Sequence, residues 1–261
     1  MKLRRYITTF TLTCMAAAMP MLAAASSVDE VRALITAGDY QQARVLAADI
    51  ETAEGYRLAA ESLCAQIMLG EVGKLNKHSK EARNLAKMAL ELEPNSYEAR
   101  LQYVLADGFV TRTTGDITAW RKKLPMKTHS AIQSFRADYP QNARAIALDA
   151  AWHLGIIRKT GEKNGQKWFG ASGVQGAKLY EEAIAIAPQD MVIRTNYVMA
   201  LLALKTEPDR AALKTELETI MQMVPQSDVE MKIQARAVDV YQNLDDKKLS
   251  KRAAERFLDG K

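Results

Sequence analysis

"AIAIAPQD", residues 183 to 190, closes an apolar run on a proline and two polar residues. Proline lacks the N–H that a continuing helix needs, and its ring collides with the preceding turn, so the phrase reads as a helix end. It recurs as "ALELEPNS" at 89 to 96, "FRADYPQN" at 135 to 142 and "MQMVPQSD" at 221 to 228. From Pro94 through Pro140 and Pro188 to Pro225 the spacings are 46, 48 and 37 residues. A period in this range predicts stacked supersecondary units.

The helix starts agree. "RLQYVLA" from Arg100 and "RTNYVMA" from Arg194 share Arg-x-(Gln/Asn)-Tyr-Val-x-Ala, 94 residues apart. Small residues let helices cross closely: Ala82, Ala86 and Ala89 precede Pro94, and Gly176 and Ala183 occupy the first and last of the same offsets before Pro188. "AGDYQQA" at 37 to 43 reads as a helix end, a Gly-Asp turn and a restart at Tyr40. In "EARNLAKMALEL", Leu85, Met88, Ala89 and Leu92 recur at spacings of three and four, the helical period. Alternating β-branched patterns are almost absent, so the predicted fold is all-α.

These residues resemble the tetratricopeptide repeat family, in its exported proteobacterial form. The family carries Gly and Tyr at the inter-helix turn, small residues inside the second helix and Pro just after it. The likeness covers most of residues 29 to 243, with Arg100 and Arg194 where the family has Trp and a poor fit between Pro125 and Pro140. It implies an α-solenoid of about four to five degenerate hairpins that binds a protein or peptide on its concave face, without chemistry of its own. Arg100, Tyr103, Asn196 and Tyr197, from the repeated first helices, are the candidate concave residues. A looser likeness, to the lipoprotein T-components associated with TRAP transporters, implies an accessory that binds a small anionic solute or a transporter partner.

The first and second spacings exceed the family's period near 34 by roughly 12 and 14 residues. Both surpluses fall inside a hairpin, at about 108 to 125 and 156 to 174, and are expected as two long loops on one edge of the stack. Residues 109 to 128 carry a net charge of +4 and include Trp120, Arg121, Lys122 and Lys123; residues 156 to 175 carry +3 and include Lys163, Lys167, Trp168 and Phe169. A basic, aromatic rim favours anions, acidic peptides or a lipid headgroup surface. Two readings of Trp168 and Phe169 stand: a lid packed on the repeat core, or direct contact with a ligand.

Lys2, Arg4 and Arg5, then a mostly apolar run over residues 7 to 22 and Ala23-Ala24-Ala25, make a secretory leader with cleavage after Ala25. Lipidation at Cys14 is the rival, although Thr11 and Thr13 stand where such a signal needs a Leu-like and a small residue. No later stretch approaches about 20 apolar residues, so no membrane span is expected. The expected compartment is the periplasm. Cleavage leaves 236 residues and lowers the formal charge from +5 to +2, and nothing global argues for nucleic acid. Cys64 is then the lone thiol, without a partner for a disulfide and expected to be buried and inert.

An enzyme needs a cluster, and the sequence assembles none; the chain is read as a non-enzyme without cofactor or metal. His78, His129 and His153 fall in different units. Asp149 and His153, four apart, share a helix face: a local hydrogen-bonded pair first, a general base or half a metal site second. Trp152 is read as core, packed on Trp168 or the next helix, with Trp152 and His153 as the floor of a loop-roofed pocket in the alternative. No phosphate loop, dinucleotide glycine motif or nucleophile elbow appears. "GASGVQG" at 170 to 176 opens a helix with free N–H groups, which suits an anion only weakly.

Overall fold

The computed structural model describes residues 19–261, with side chains from residue 28. Residues 1–18, and so Cys14 and most of the predicted leader, lie outside it, as do the side chains around Ala25. Among the described residues every regular element is helical: α1 Met19–Ala37, α2 Tyr40–Asp49, α3 Ala53–Leu69, α4 Leu75–Leu92, α5 Tyr97–Thr113, α6 Asp116–Arg121 and α7 Leu124–Asp138. The second half adds α8 Ala143–Thr160, α9 Glu162–Phe169, α10 Gly173–Ile186, α11 Met191–Leu202, α12 Arg210–Gln222, α13 Asp228–Gln242 and α14 Lys247–Asp259.

Each proline phrase does two jobs. Its proline follows a helix end, and the residue two positions later caps the next helix. Ser96 accepts from Ala99 N–H, Asn142 from Arg144 and Ala145 N–H, Asp190 from Ile193 N–H and Ser227 from Glu230 N–H. A side-chain oxygen here satisfies an N–H that the first turn leaves free, worth about 1 kcal/mol. The phrase is therefore a complete helix-to-helix punctuation mark.

Alternate helices α3, α5, α8, α11 and α13 touch in succession and form one layer, with α4, α7, α10 and α12 each packed behind two of them. Small residues set the spacing: Ala82, Ala86 and Ala89 on α4 and Gly176 and Ala183 on α10 are buried. Cys64 is buried, and burial pushes its thiol far above the ordinary range.

The layer does not stay open. Helix α13 returns to α1 and α3, and α14 packs on α3, α11 and α13. One apolar cluster joins Tyr40, Ala65 and Leu69 to Leu217, Val240 and Phe257. Polar groups stitch the same seam: the buried Tyr40 hydroxyl donates to Asp228 Oδ2 at 2.9 Å, and Lys232 Nζ lies 2.8 Å from Asp228 and 2.6 Å from Glu71. Arg236 donates to the Leu69 carbonyl. The charged stretch "LDDKKLSKRAAERFLDGK", residues 244 to 261, reads in sequence as a polar helix capping an open stack, yet α14 is packed into the core. Ser250, Ala254 and Phe257, at a spacing of four and three, form a buried stripe.

Candidate functional site

The two expected loops are largely helical, and the first correction lies there. The segment 161 to 173 forms α9: Gly161 stands before it, Glu162 opens it and Gly170 ends it with φ +71°. Gly165 sits where α9 presses on α8; a Cβ there would fall 2.5 Å from Ile157 Cδ1 and 3.1 Å from Thr160 Oγ1. The Glu162 carboxylate accepts from Gly173 N–H at 3.0 and 3.1 Å, which fastens the far end of the segment. The glycines thus serve termination and close packing, not looseness. In the first insertion α6 takes the same part, with Ala119 buried and the adjoining Lys123 at φ +53°.

The insertions meet. Trp120 lies edge-on to Trp168 and to Phe169, with ring centroids 5.7 and 5.6 Å apart, and Lys159 Nζ is 3.2 Å from Asp116. The two aromatics of α9 divide the readings between them. Phe169 packs, half-buried, on the cluster around Trp152, whereas Trp168 is 53 % exposed and Trp120 56 %. The charges divide too. Arg112 donates to the Leu258 carbonyl and Arg158 pairs with Asp259 at 2.8 Å, so both hold the end of α14. Burial pushes the Arg112 guanidinium down to about 10. Arg121, Lys122, Lys123, Lys127, Lys163 and Lys167 pair with no carboxylate among the described residues.

Behind this platform, His129 of α7 joins Asp149 and His153 of α8, a meeting the sequence does not assemble because His129 lies on another helix. His129 Nε2 is 3.2 Å from Asp149 Oδ1, Arg136 donates to Oδ2 at 2.7 Å and Gln133 donates to both oxygens at 2.9 Å. Burial raises the Asp149 carboxyl, but the bonds from His129 and Arg136 outweigh it and hold the group below its usual range. Ser172 N–H donates to His153 Nδ1 at 3.2 Å, which leaves the imidazole proton on Nε2, towards Asp149. Burial lowers the His153 pKa first of all. The three donor atoms lie within 4.8 Å of one another, yet Asp149 is already paired with a guanidinium and His153 turns an N–H inward. The cluster suits a structural hub better than a cation.

Trp152 stacks on His129, 3.6 Å between centroids and 4° between planes, and its indole N–H donates to the Pro125 carbonyl at 2.9 Å. Its partner is α7 rather than Trp168. Trp152 and His153 are each only 7 % exposed, so they floor no open pocket.

The four candidate concave residues each make contacts within the fold. Arg100 pairs with Asp138 and donates to Ser134 at 2.9 Å, and Tyr103 packs, partly buried, in the cluster around Phe135. Asn196 donates back to the Val192 carbonyl at 2.8 Å; the Tyr197 hydroxyl donates to Glu181 at 3.2 Å, and burial first, then Glu181, pushes it up to about 12. All four support the layers. A cleft of about 400 Å³ opens at the N-terminal ends of α5, α8 and α11, beside α3. Arg57, Tyr97, Gln102, Asn142, Arg144 and Asp190 line it. The side-chain Oε1 of Gln102 is buried without a donor. Sequence reasoning misses this cleft, because the capping residues that border it signal only helix starts. No family model and no curated protein matches the chain.

Proposed function

We propose that the chain is an exported, non-enzymatic adaptor of tetratricopeptide-like helical hairpins, acting in the periplasm and holding a protein or peptide segment in the cleft beside Gln102. The observation that carries this reading is the cleft itself: α3, α5, α8 and α11 converge on it, and the polar side chains of Gln102, Asn142 and Asp190 line it beside Tyr97. Polar side chains on such a wall suit the backbone groups of a bound segment, and Tyr97 supplies a flat apolar face beside them. The cleft's cations do not favour a small anionic solute, since Arg57 is paired with Glu54 and Glu61 and Arg144 with Asp190. That weighs for the adaptor over the transporter accessory.

Gln102→Leu tests the reading in two directions. Removing a buried unpaired carbonyl at nearly constant volume relieves a cost of about 1 to 3 kcal/mol, so thermal stability is expected to hold or rise. Capture of the partner from envelope extract is expected to fall. Unchanged capture by a stable Gln102→Leu protein overturns the assignment of the cleft, and native mass spectrometry showing a bound small solute favours the accessory reading instead.

A further inference from the structure

We infer that the platform formed by α6, α9 and the starts of α7 and α10 is a membrane-docking surface that seats on a bilayer containing anionic phospholipid. This surface is separate from the cleft, and its basis does not depend on what the cleft holds. Twelve large apolar side chains are exposed among the described residues, and five of them, Ile117, Trp120, Met126, Trp168 and Val174, come from the two segments 109–128 and 156–175. Ile117 is 79 % exposed and Val174 81 %, values more typical of lysine than of such residues. Their concentration in two contacting segments marks an interaction surface.

The chemistry around them selects the occupant. Six cations, Arg121, Lys122, Lys123, Lys127, Lys163 and Lys167, flank the apolar group without carboxylate partners among the described residues, while Arg112, Arg158 and Lys159 are consumed internally. Helix α6 buries Ala119, which leaves Ile117, Trp120 and Arg121 on its other side. Helix α9 buries Gly165, half-buries Phe169 and leaves Lys163, Lys167 and Trp168 outward. Indole rings settle at the depth of lipid headgroups, where the ring is half-desolvated and its N–H stays hydrated. Lysines beside them reach back to phosphates along flexible apolar stems. Neither Arg121 nor any of these lysines lines the cleft at Gln102. The platform is also held in shape, by the Trp120 contacts, the Lys159–Asp116 pair and the Glu162 bond to Gly173. Among the described residues no helix is long and apolar enough to cross a membrane, so the geometry is one of lying against a surface.

The experiment uses the full chain in vesicle flotation, with phosphatidylcholine vesicles that contain or lack phosphatidylglycerol. Intrinsic fluorescence localises the contact, because all three tryptophans, at 120, 152 and 168, fall outside the apolar N-terminal segment in sequence. Expected are binding to the anionic vesicles only, a blue shift of the emission, and loss of binding in high salt. Lys122→Glu, Lys123→Glu, Lys163→Glu and Lys167→Glu together are expected to weaken partitioning roughly a hundredfold or more, with helicity and melting temperature kept. Inorganic phosphate is expected not to compete, which separates a bilayer from a free anion. Nitroxide-labelled lipid is expected to quench the wild-type emission, a check that needs no variant. Absence of anionic-vesicle binding overturns the inference, as does binding that survives charge reversal without a fluorescence shift. Capture of a soluble acidic protein through the platform, with no lipid binding, overturns it too.

Discussion

At the scale of single residues, His153 shows how a neutral imidazole becomes structural. Its Nδ1 accepts from Ser172, and Asp149, His129, Arg136 and Glu162 surround it. Because burial holds its folded pKa below 6.5, the unfolded chain takes up the proton first as pH falls. Stability contributed by this group is therefore present above about pH 6.5 and declines below it, until the folded form also protonates. Asp149 adds a loss in the same direction, beginning only below its ordinary value of 3.8. Melting temperature measured from about pH 7.5 to pH 5 is expected to fall in the wild type and to fall less steeply in His153→Gln. Parallel slopes would show that the imidazole stays neutral or is already solvated. The pairing of Asp149 with His153 is legible as a spacing of four. His129, twenty residues before Asp149, is not, because sequence periodicity speaks only within one helix.

At the scale of elements, the proline phrases are the most legible feature, since stop and cap are both local chemistry written in adjacent residues. The insertions are legible in length, charge and aromatic content, but not in conformation. Four glycines within 161 to 173 suggest an unstructured link, yet in α9 they mark the ends and the closest approach to α8. The charges of α14 suggest an end cap, although Ser250, Ala254 and Phe257 form a buried stripe along it. Phe257 is the test of its real role, being 4 % exposed in the core shared with α3 and α11. Phe257→Ala is expected to cost about 3 to 5 kcal/mol, lowering the melting temperature by roughly 10 °C in a chain of this size. A shift of only a degree or two would mean that α14 frays without consequence, as an outer cap does.

At the scale of the whole molecule, the seam between the first helices and the last sets this chain apart from an open stack, in which units touch only their neighbours. Asp228 is the shared acceptor of the seam, taking the Tyr40 hydroxyl and the Lys232 ammonium. Asp228→Ala strands the buried hydroxyl of Tyr40, at an expected cost of about 1 to 3 kcal/mol. Hydrogen exchange is expected to quicken together in α1, α2, α3 and α13, while α8 and α10 keep their protection. Faster exchange confined to α13 and α14 would show that the two ends are merely adjacent. This closure is not legible in the sequence, because Tyr40 and Asp228 are 188 positions apart and each reads locally as an ordinary helix start.

That separation also orders events in time. Hairpins such as α3 with α4, or α4 with α5, are joined by short spans and close early, since short loops lose little entropy. The bonds Tyr40–Asp228, Arg236–Leu69 and Lys232–Glu71 span 188, 167 and 161 residues. Such contacts raise the mean sequence separation and slow folding. A chain emerging from its N-terminus can complete the hairpins one after another, but it holds the flank of α3 uncovered until Phe257 has followed. The meeting of the two ends is thus expected as a late step of folding, with α14 covering the flank of α3.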